Sequence, residues 1–202
     1  MLTPVSFYFL RHGETDWNAR GIMQGQTDVP LSAVGLRQAE AIAKTVETLP
    51  IATVCCSSLG RARHTAEIAS AGLRLPLIAI DDLKECRFGI YEGKSSAGPW
   101  REDWIQGGLL PGGENHNEYV TRALRGLNTA LMNPGPVLVV AHGGTFWAIQ
   151  RFALANRPVR VPNCVLFKLD PPRFDTTSWT VTELAAPEGL SLAIGEDAAA
   201  QK

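Results

Sequence analysis

Two histidines follow short apolar runs in the same way. His12 comes directly after Phe7-Tyr-Phe-Leu-Arg11, and His142 comes directly after Val137-Leu-Val-Val-Ala; each histidine is followed by glycine. Such runs are typical of strands that are covered on both faces in a parallel sheet. Because ligands bind outside the carboxyl ends of the strands in an open parallel sheet, we expect both imidazoles to face one crevice.

Two arginines accompany these histidines. Arg11 directly precedes His12, and Arg61 follows the turn Ser-Ser-Leu-Gly60 at the predicted start of a helix. Helix N-termini and guanidinium groups both bind the tetrahedral oxygens of phosphate. The pattern predicts a phosphoryl site that includes Arg61, although an arginine in such a place is more often a solvated surface residue. We assign that surface role to Arg63.

One carboxylate is suited to proton transfer at such a site. Glu85 follows the predicted strand Leu77–Ile80, so we expect it to reach the same rim. A carboxyl group beside a phosphoryl group can protonate the leaving oxygen. On the sequence alone, Glu85 is equally suited to pair with Arg87 or Lys84.

Six short motifs, taken together, carry a resemblance to a known family. They are Arg11-His12-Gly13-Glu14-Thr15, Trp17-Asn18, Ser-x-Leu-x-Arg61-Ala, Glu85 before Phe88-Gly89, Gly112-Gly113-Glu114, and His142-Gly143. From about residue 7 to about residue 167 the chain resembles the histidine phosphatase superfamily, in its phosphoglycerate mutase-like branch. It departs from the usual pattern at Cys86-Arg87 and at Asn115, which leaves the chemistry intact and the identity of the substrate open.

The resemblance implies a phosphohistidine mechanism on an α/β fold, a three-layer α/β/α sandwich with a mainly parallel central sheet, and it implies no metal and no cofactor. His12 would attack phosphorus, while Glu85 would protonate the leaving oxygen and then activate water. The groups that would hold the equatorial oxygens are Arg11, Arg61, Asn18 and His142. The further phosphate or substrate contacts would be Gln24, Gly25, Gly113, Glu114 and Gly143.

The segment after Glu85 bears on whether the reaction is that of a phosphatase or of a mutase. A mutase must retain a doubly charged intermediate and exclude water, which requires extra cations, whereas residues 93–113 offer Lys94 and Arg101 offset by two acidic residues. We predict that this segment is a cap or substrate loop with an apolar rim, formed by Trp100, Trp104, Ile105, Leu109 and Leu110. Such a rim favours a phosphatase acting on a small-molecule phosphate ester with an uncharged body. Mutase activity, and a mere packing role for these tryptophans, both stay open.

Three other functions fit parts of the chain. Cys55 and Arg61 have the spacing of cysteine-dependent phosphatases, but Cys55 lies in an apolar run. A metallohydrolase built on His12, His142 and Glu85 is disfavoured because the neighbouring arginines would repel a dication. A phosphate-binding module that has lost its activity is disfavoured by the complete set of candidate catalytic groups.

The elements that must position these groups alternate along the chain. We predict strands at residues 5–10, 51–56, 77–80, 137–141 and 164–169, and helices at 33–49, 61–71, 117–131 and 145–155. Ser32 is a candidate N-cap, and Asn115 with Glu118 resembles a capping box. Residues 179–184 form a candidate edge strand. We expect one domain over residues 1–184 and a flexible tail over 185–202.

Composition excludes several classes of partner. The chain of 202 residues has 19 Lys and Arg against 20 Asp and Glu, is 45% hydrophobic and has no basic run, which argues against nucleic acid and an anionic membrane surface as partners. No apolar run approaches the roughly 20 residues of a membrane span, and the first residues lack the features of a signal peptide. The four cysteines form no Cys-x-x-Cys pair, so we expect reduced thiols and a cytoplasmic location. The oligomeric state is not readable from the sequence.

Overall fold

A six-stranded sheet forms the centre of the fold in the computed structural model, which describes residues 1–154, 161–172 and 178–188. The strands are β1 (Phe7–Arg11), β2 (Thr53–Ser57), β3 (Leu77–Ile80), β4 (Val137–Ala141), β5 (Leu166–Asp170) and β6 (Thr180–Ala185), in the order β3-β2-β4-β1-β5-β6. The first four strands run parallel to one another, whereas β5 is antiparallel to both β1 and β6. The predicted mainly parallel sheet is therefore confirmed.

The helices cover both faces of this sheet. They are α1 (Asp16–Ala19), α2 (Ala33–Val46), α3 (Gly60–Ala69), α4 (Trp100–Ile105), α5 (His116–Leu131) and α6 (Gly143–Ala153). Ser32 caps α2 by accepting from the Gly35 N–H group, and Asn115 and Glu118 form the predicted capping box of α5.

Alternation along the strands divides the core into two layers. In β1 and β4, Phe7, Phe9 and Val139 pack toward α5 and α6, whereas Leu10 and Leu138 pack toward α2 and α3. Successive side chains of a strand point to opposite faces, so a strand buried on both faces needs apolar residues at every position. This requirement explains the unbroken apolar runs of the sequence and confirms the three-layer α/β/α sandwich.

Some predicted details were wrong. Strand β3 lies at the edge of the sheet, so that Ile78 is 36% exposed rather than buried on both faces. The segment 93–113, predicted as a cap or substrate loop without regular structure, contains the short helix α4. Helix α6 begins two residues earlier than predicted, at Gly143. The predicted edge strand forms β6, whose last residue, Ala185, lies in the expected tail; residues 189–202 of that tail are outside the described residues.

The candidate site residues lie at the carboxyl edge of the parallel strands. His12 follows β1, Ser57 ends β2, and His142 follows β4, and these three strands are neighbours in the sheet. Within the three described ranges, no helix is both long and apolar enough to cross a membrane.

The position of a strand in the sheet predicts how much its side chains contribute to stability. Leu138→Ala in β4 removes a fully buried side chain from the sheet centre and should lower the free energy of unfolding by about 2–5 kcal/mol. Ile78→Ala at the exposed edge should lower the free energy of unfolding by well under half of that amount. Urea unfolding of both variants measures the difference. Equal losses at the two positions would contradict this packing.

Candidate active site

The His12 imidazole has one ring nitrogen free for chemistry. Its Nδ1 lies 2.7 Å from the Gly13 carbonyl oxygen, and because a carbonyl oxygen only accepts, Nδ1 carries the proton and Nε2 keeps its lone pair. Burial, together with the charges of Arg61 and Arg11, lowers the pKa of His12 well below its ordinary value. His12 is therefore a neutral imidazole with a bare Nε2, which is the form that a nucleophile requires.

Arg61 is almost completely buried beside this imidazole, with 1% of its surface exposed. Its guanidinium donates to the carbonyl oxygens of Gly25 (2.7 Å) and Thr27 (3.0 Å), and lies 3.8 Å from the Asp28 carboxylate. The solvated surface role that the sequence left open for Arg61 is therefore wrong. That role is confirmed for Arg63, which is exposed and paired with Glu67.

Arg11 and the Asn18 side chain line the same cavity as His12 and Arg61. The Arg11 guanidinium donates to the Val161 carbonyl oxygen at 2.6 Å. Asn18 Oδ1 accepts from the Thr15 backbone N–H and from the Asn163 amide at 3.2 and 3.3 Å. Because the oxygen of the Asn18 amide is engaged in this way, its NH₂ group is the end left to donate to a ligand.

Gln24 and Gly25, which the family resemblance implies as phosphate or substrate contacts, also line the cavity. Gln24 is buried, and its Oε1 has no hydrogen-bond partner among the described residues. Gly25 has φ = +56°, a left-handed conformation that favours glycine, and a Cβ there would meet the Glu92 carboxylate. This turn aims the Gly25 carbonyl oxygen at Arg61.

Three donors fix the carboxylate of Glu85 at the edge of the cavity. Its Oε1 accepts from the Tyr119 hydroxyl (2.8 Å) and the Cys86 N–H (2.9 Å), and its Oε2 accepts from the Gly144 N–H at 3.1 Å. The open alternative, a pair with Arg87 or Lys84, is wrong: no such pair forms in the described chain, and Lys84 instead lies 3.2 Å from Asp81.

His142 lies beside His12, with the ring centroids 5.2 Å apart. Its Nε2 is 2.8 Å from the Ser57 hydroxyl, and burial and nearby cations lower its pKa well below the ordinary value. Gly143, the next residue, begins α6 and lines the cavity. Four predicted groups, His12, Arg11, Arg61 and Glu85, thus line one cavity, and the fifth, His142, lies directly beside His12.

Two predicted contacts lie elsewhere. Neither Gly113 nor Glu114 lines the cavity, so the structure does not bring these two residues together with the other predicted groups. The Glu114 carboxylate forms two 2.7 Å hydrogen bonds with Arg122, whose guanidinium also donates to the backbone oxygens of Lys84 and Glu85. Glu114 therefore holds the backbone that carries Glu85. A Cβ on Gly113 would lie 2.6 Å from the Arg87 carbonyl oxygen, so close packing explains this glycine.

The cavity has a volume of about 590 Å³, and beyond the cationic end it is lined by apolar side chains together with Ser96 and Gln150. Ile22, Met23, Phe88 and Trp147 line this part, and Arg101 is the one described lining cation besides Arg11 and Arg61. The predicted apolar rim was wrong in its residues. Trp104 is buried against Phe88, Trp100 stacks on Tyr91, and Leu109 is 74% exposed.

The site favours an anion over a metal ion. Arg11 and Arg61 place two positive charges beside His12. In the part of the chain that the structure describes, no three His, Cys, Asp or Glu side chains come together as metal ligands. A phosphoryl group satisfies the donors that are present.

Cys55 lacks the environment of a catalytic thiolate. It is completely buried in the layer that packs against α5, and burial and the neighbouring Cys56 raise the pKa of its thiol to about 11. A nucleophilic cysteine requires a lowered pKa and access to substrate. The structure therefore argues against the cysteine-dependent alternative.

Sequence reasoning missed four supporting residues. They are Ser57, Thr65, Tyr119 and Asn163, which contact His142, the Gly13 N–H, Glu85 and Asn18. Ser57 ends a buried strand, so the rule that located His12 and His142 would also have found it. The other three come close to the site through tertiary packing alone.

The fold and the site define an α/β protein with a cationic phosphoryl-type site at the carboxyl edge of its sheet. The sequence model of the histidine phosphatase superfamily (branch 1) matches residues 7–187, and the chain belongs to this family.

Its relatives include both mutases and phosphatases. The probable phosphoglycerate mutase GpmB of Proteus mirabilis is 35% identical, over 82% of this chain and 85% of that protein. A putative alpha-ribazole-5'-P phosphatase of Escherichia coli K-12 has a TM-score of 0.75 at 27% identity, over 91% of this chain and 97% of its own. The mycobacterial glucosyl-3-phosphoglycerate phosphatase has a TM-score of 0.72 at 26% identity, over 91% and 99%.

The position of Glu114 predicts a pH-dependent contribution to stability. Burial alone would raise its pKa, but hydrogen bonds from Arg122 and the Arg87 N–H outweigh burial and hold the pKa below its ordinary value of 4.5. A lowered folded-state pKa stabilises the protein above pH 4.5, and this stabilisation is lost as the pH falls through the folded-state value.

Urea unfolding between pH 7 and pH 3 tests this contribution. Glu114→Gln should lower stability at pH 7 and lose less stability than wild type below pH 4.5, while KM for a phosphate ester stays within about twofold because residue 114 lies outside the cavity. Glu67→Gln, at an exposed carboxylate on α3, is the control. A parallel loss in Glu114→Gln and wild type would contradict the assignment.

Proposed function

We propose that the protein hydrolyses small-molecule phosphomonoesters through a phosphohistidine intermediate on Nε2 of His12, without a metal or cofactor. The observation that carries this proposal is the neutral His12, its Nδ1 proton engaged by Gly13, set between two guanidinium groups at the end of a cavity. A neutral nucleophile beside fixed positive charge suits a phosphoryl group, whose negative charge those cations offset.

In the first step the Nε2 lone pair attacks phosphorus and the bond from phosphorus to the ester oxygen breaks. Arg11, Arg61 and the Asn18 NH₂ group hold the equatorial oxygens, and they need no reorganisation because the protein already fixes their positions. Glu85, in its protonated form, gives its proton to the leaving oxygen. Its Oε2 accepts a single hydrogen bond from the protein, whereas Oε1 accepts two, so Oε2 is the oxygen we assign to proton transfer.

In the second step the Glu85 carboxylate takes a proton from water, and the water oxygen attacks phosphorus. The bond between phosphorus and Nε2 then breaks, which releases inorganic phosphate and returns His12 to its neutral form with the Gly13 contact intact. The same carboxyl group thus serves as acid and then as base, and the donors from Tyr119, Cys86 and Gly144 hold it in one place for both steps.

Phosphoryl transfer to a second substrate molecule, as in a mutase, is the second candidate. The probable phosphoglycerate mutase relative supports it, while the two phosphatase structures support hydrolysis. Lys94 lies over the Tyr91 ring and does not line the cavity, and Arg101 lies 5.1 Å from the centre of the Trp147 ring. A mutase must retain a doubly charged intermediate, and one additional cation in the cavity is insufficient for that, so we favour hydrolysis. We propose that the uncharged body of the substrate packs on Trp147 and Phe88.

Location and partners follow from the same features. All four cysteines are unpaired and buried, as expected in a reducing compartment, and we propose a cytoplasmic location. The partner that the cavity fits is a small phosphate ester, rather than nucleic acid or a membrane.

The phosphohistidine step predicts a variant that loses all turnover. His12→Ala should abolish phosphate release from a panel of phosphorylated metabolites, whereas His64→Ala, at an exposed histidine on α3, should leave it unchanged. Rapid quench with ³²P-labelled substrate should trap an acid-labile, base-stable adduct in wild type and none in His12→Ala. A coupled mutase assay runs beside the panel, and mutase turnover faster than phosphate release would replace hydrolysis by transfer. Strong EDTA inhibition reversed by one added metal would contradict the metal-free mechanism.

The role of Glu85 predicts an unequal loss on two kinds of substrate. An alkyl leaving oxygen needs a proton, whereas p-nitrophenolate barely does, so Glu85→Gln should slow an alkyl phosphate by roughly 10²- to 10⁴-fold and p-nitrophenyl phosphate much less when phosphorylation limits the rate. Glu67→Gln is again the control. Equal slowing of both substrates, with no trapped phosphoenzyme, would make Glu85 a structural residue.

A further inference from the structure

The two nitrogens of the His142 imidazole differ in their surroundings. Nε2 lies 2.8 Å from the Ser57 hydroxyl oxygen, whereas Nδ1 is buried and has no hydrogen-bond partner among the described residues. A buried polar atom of this kind is normally satisfied. Because the His142 ring centroid lies 5.2 Å from that of His12, the partner we expect is an oxygen of a phosphoryl group bound at His12. We propose that Ser57 is a positioning residue: its hydroxyl donates to Nε2, so that His142 carries its proton on Nδ1 and offers it to a phosphoryl oxygen.

The other hydrogen bonds of Ser57 support donation from its hydroxyl to His142 Nε2. Ser57 is completely buried at the end of β2, and its oxygen already accepts from the Leu59 N–H at 3.3 Å. The hydroxyl proton needs an acceptor, and within the described ranges the one acceptor in contact with it is His142 Nε2. Donation from Ser57 to His142 therefore satisfies both groups.

The opposite tautomer leaves two groups unsatisfied. With the proton on Nε2, His142 would donate to Ser57, and the Ser57 hydroxyl proton would have no acceptor in the described surroundings. The Nδ1 atom would then hold a lone pair, which would repel an anion bound beside His12. The lowered pKa of His142, caused by burial and by the nearby cations, means that the imidazole carries one proton rather than two.

The two histidines have opposite tautomers and therefore different roles. In His12 a carbonyl oxygen accepts the Nδ1 proton, which leaves a lone pair on Nε2 for attack. In His142 the Nε2 lone pair accepts a hydrogen bond from a hydroxyl, which leaves an N–H group on Nδ1 for binding. One residue type thus serves as nucleophile and as donor, because a different neighbour fixes each ring.

The binding half of this inference rests on the proposed phosphoryl site, but the tautomer can be measured by itself. Long-range ¹H–¹⁵N NMR of protein labelled with ¹⁵N-histidine distinguishes a protonated ring nitrogen from a bare one. The chain has four histidines, which single His→Gln variants assign. Wild-type His142 should be protonated on Nδ1 both free and with orthovanadate. Protonation on Nε2 in either state would overturn the proposal.

Ser57→Ala removes the hydroxyl, and Ser70→Ala, at another buried serine outside the cavity, is the matched control. In Ser57→Ala the Nδ1-protonated form of His142 should no longer dominate, and kcat/KM should fall by roughly 10- to 100-fold, a loss below the full removal of one transition-state donor. Ser70→Ala should stay within about twofold of wild type on both measures. An unchanged tautomer in Ser57→Ala would overturn the proposal.

These measurements separate two kinds of failure. If the wild-type protein releases no phosphate from any ester, the proposed hydrolysis fails, while the His142 tautomer in the free protein still decides the role of Ser57. If Ser57→Ala does not fold, the wild-type spectrum decides it alone.

Discussion

The buried guanidinium of Arg61 is the constraint on which the rest of the site depends. A buried charge is costly unless hydrogen bonds and an opposite charge compensate it. The Arg61 guanidinium has this compensation, because it donates to two carbonyl oxygens and lies 3.8 Å from the Asp28 carboxylate. The loop that supplies these carbonyls is held by Glu92, whose carboxylate accepts from the N–H groups of Gln26, Thr27 and Phe88. Burial is the main cause of the lowered pKa of His12 and of His142, and the positive charge of Arg61 lowers both pKa values further.

A second consequence is that the groups must be fixed before substrate arrives. Glu85 takes its donors from three separate elements: the Tyr119 hydroxyl on α5, the Gly144 N–H on α6 and the N–H of its own neighbour. A Cβ at Gly144 would lie 2.2 Å from the Glu85 carboxylate, so the approach requires glycine there. Arg122, held by Glu114, fixes the backbone on the other side. This preorganisation is what electrostatic catalysis requires, because no energy is then spent on orienting the groups.

The cavity separates the chemistry of the phosphoryl group from the choice of substrate. Arg11 and His12 lie at the end of β1 and Arg61 lies on α3, next to the sheet. Other residues, Ile22, Met23, Phe88, Arg101 and Trp147, line the remainder of the cavity. Relatives that share the fold are named for different reactions and substrates, as a mutase and as two phosphatases. Because the cavity has two parts, the same phosphoryl-binding end can serve substrates whose remaining parts differ.

The sequence by itself determined the layers, the sheet class and most of the site. Unbroken apolar runs mark strands covered on both faces, and His12, Arg61 and His142 follow such runs, so local pattern alone placed them at one edge. The sequence did not determine which groups support them. Glu114 was expected to contact substrate but pairs with Arg122. The apolar rim was expected from residues 93–113, whereas the tryptophan that lines the cavity is Trp147 on α6. Local periodicity specifies which face of an element is buried, whereas contacts between α5, α6 and the loop around Glu85 depend on how the elements pack together, which only the tertiary structure decided.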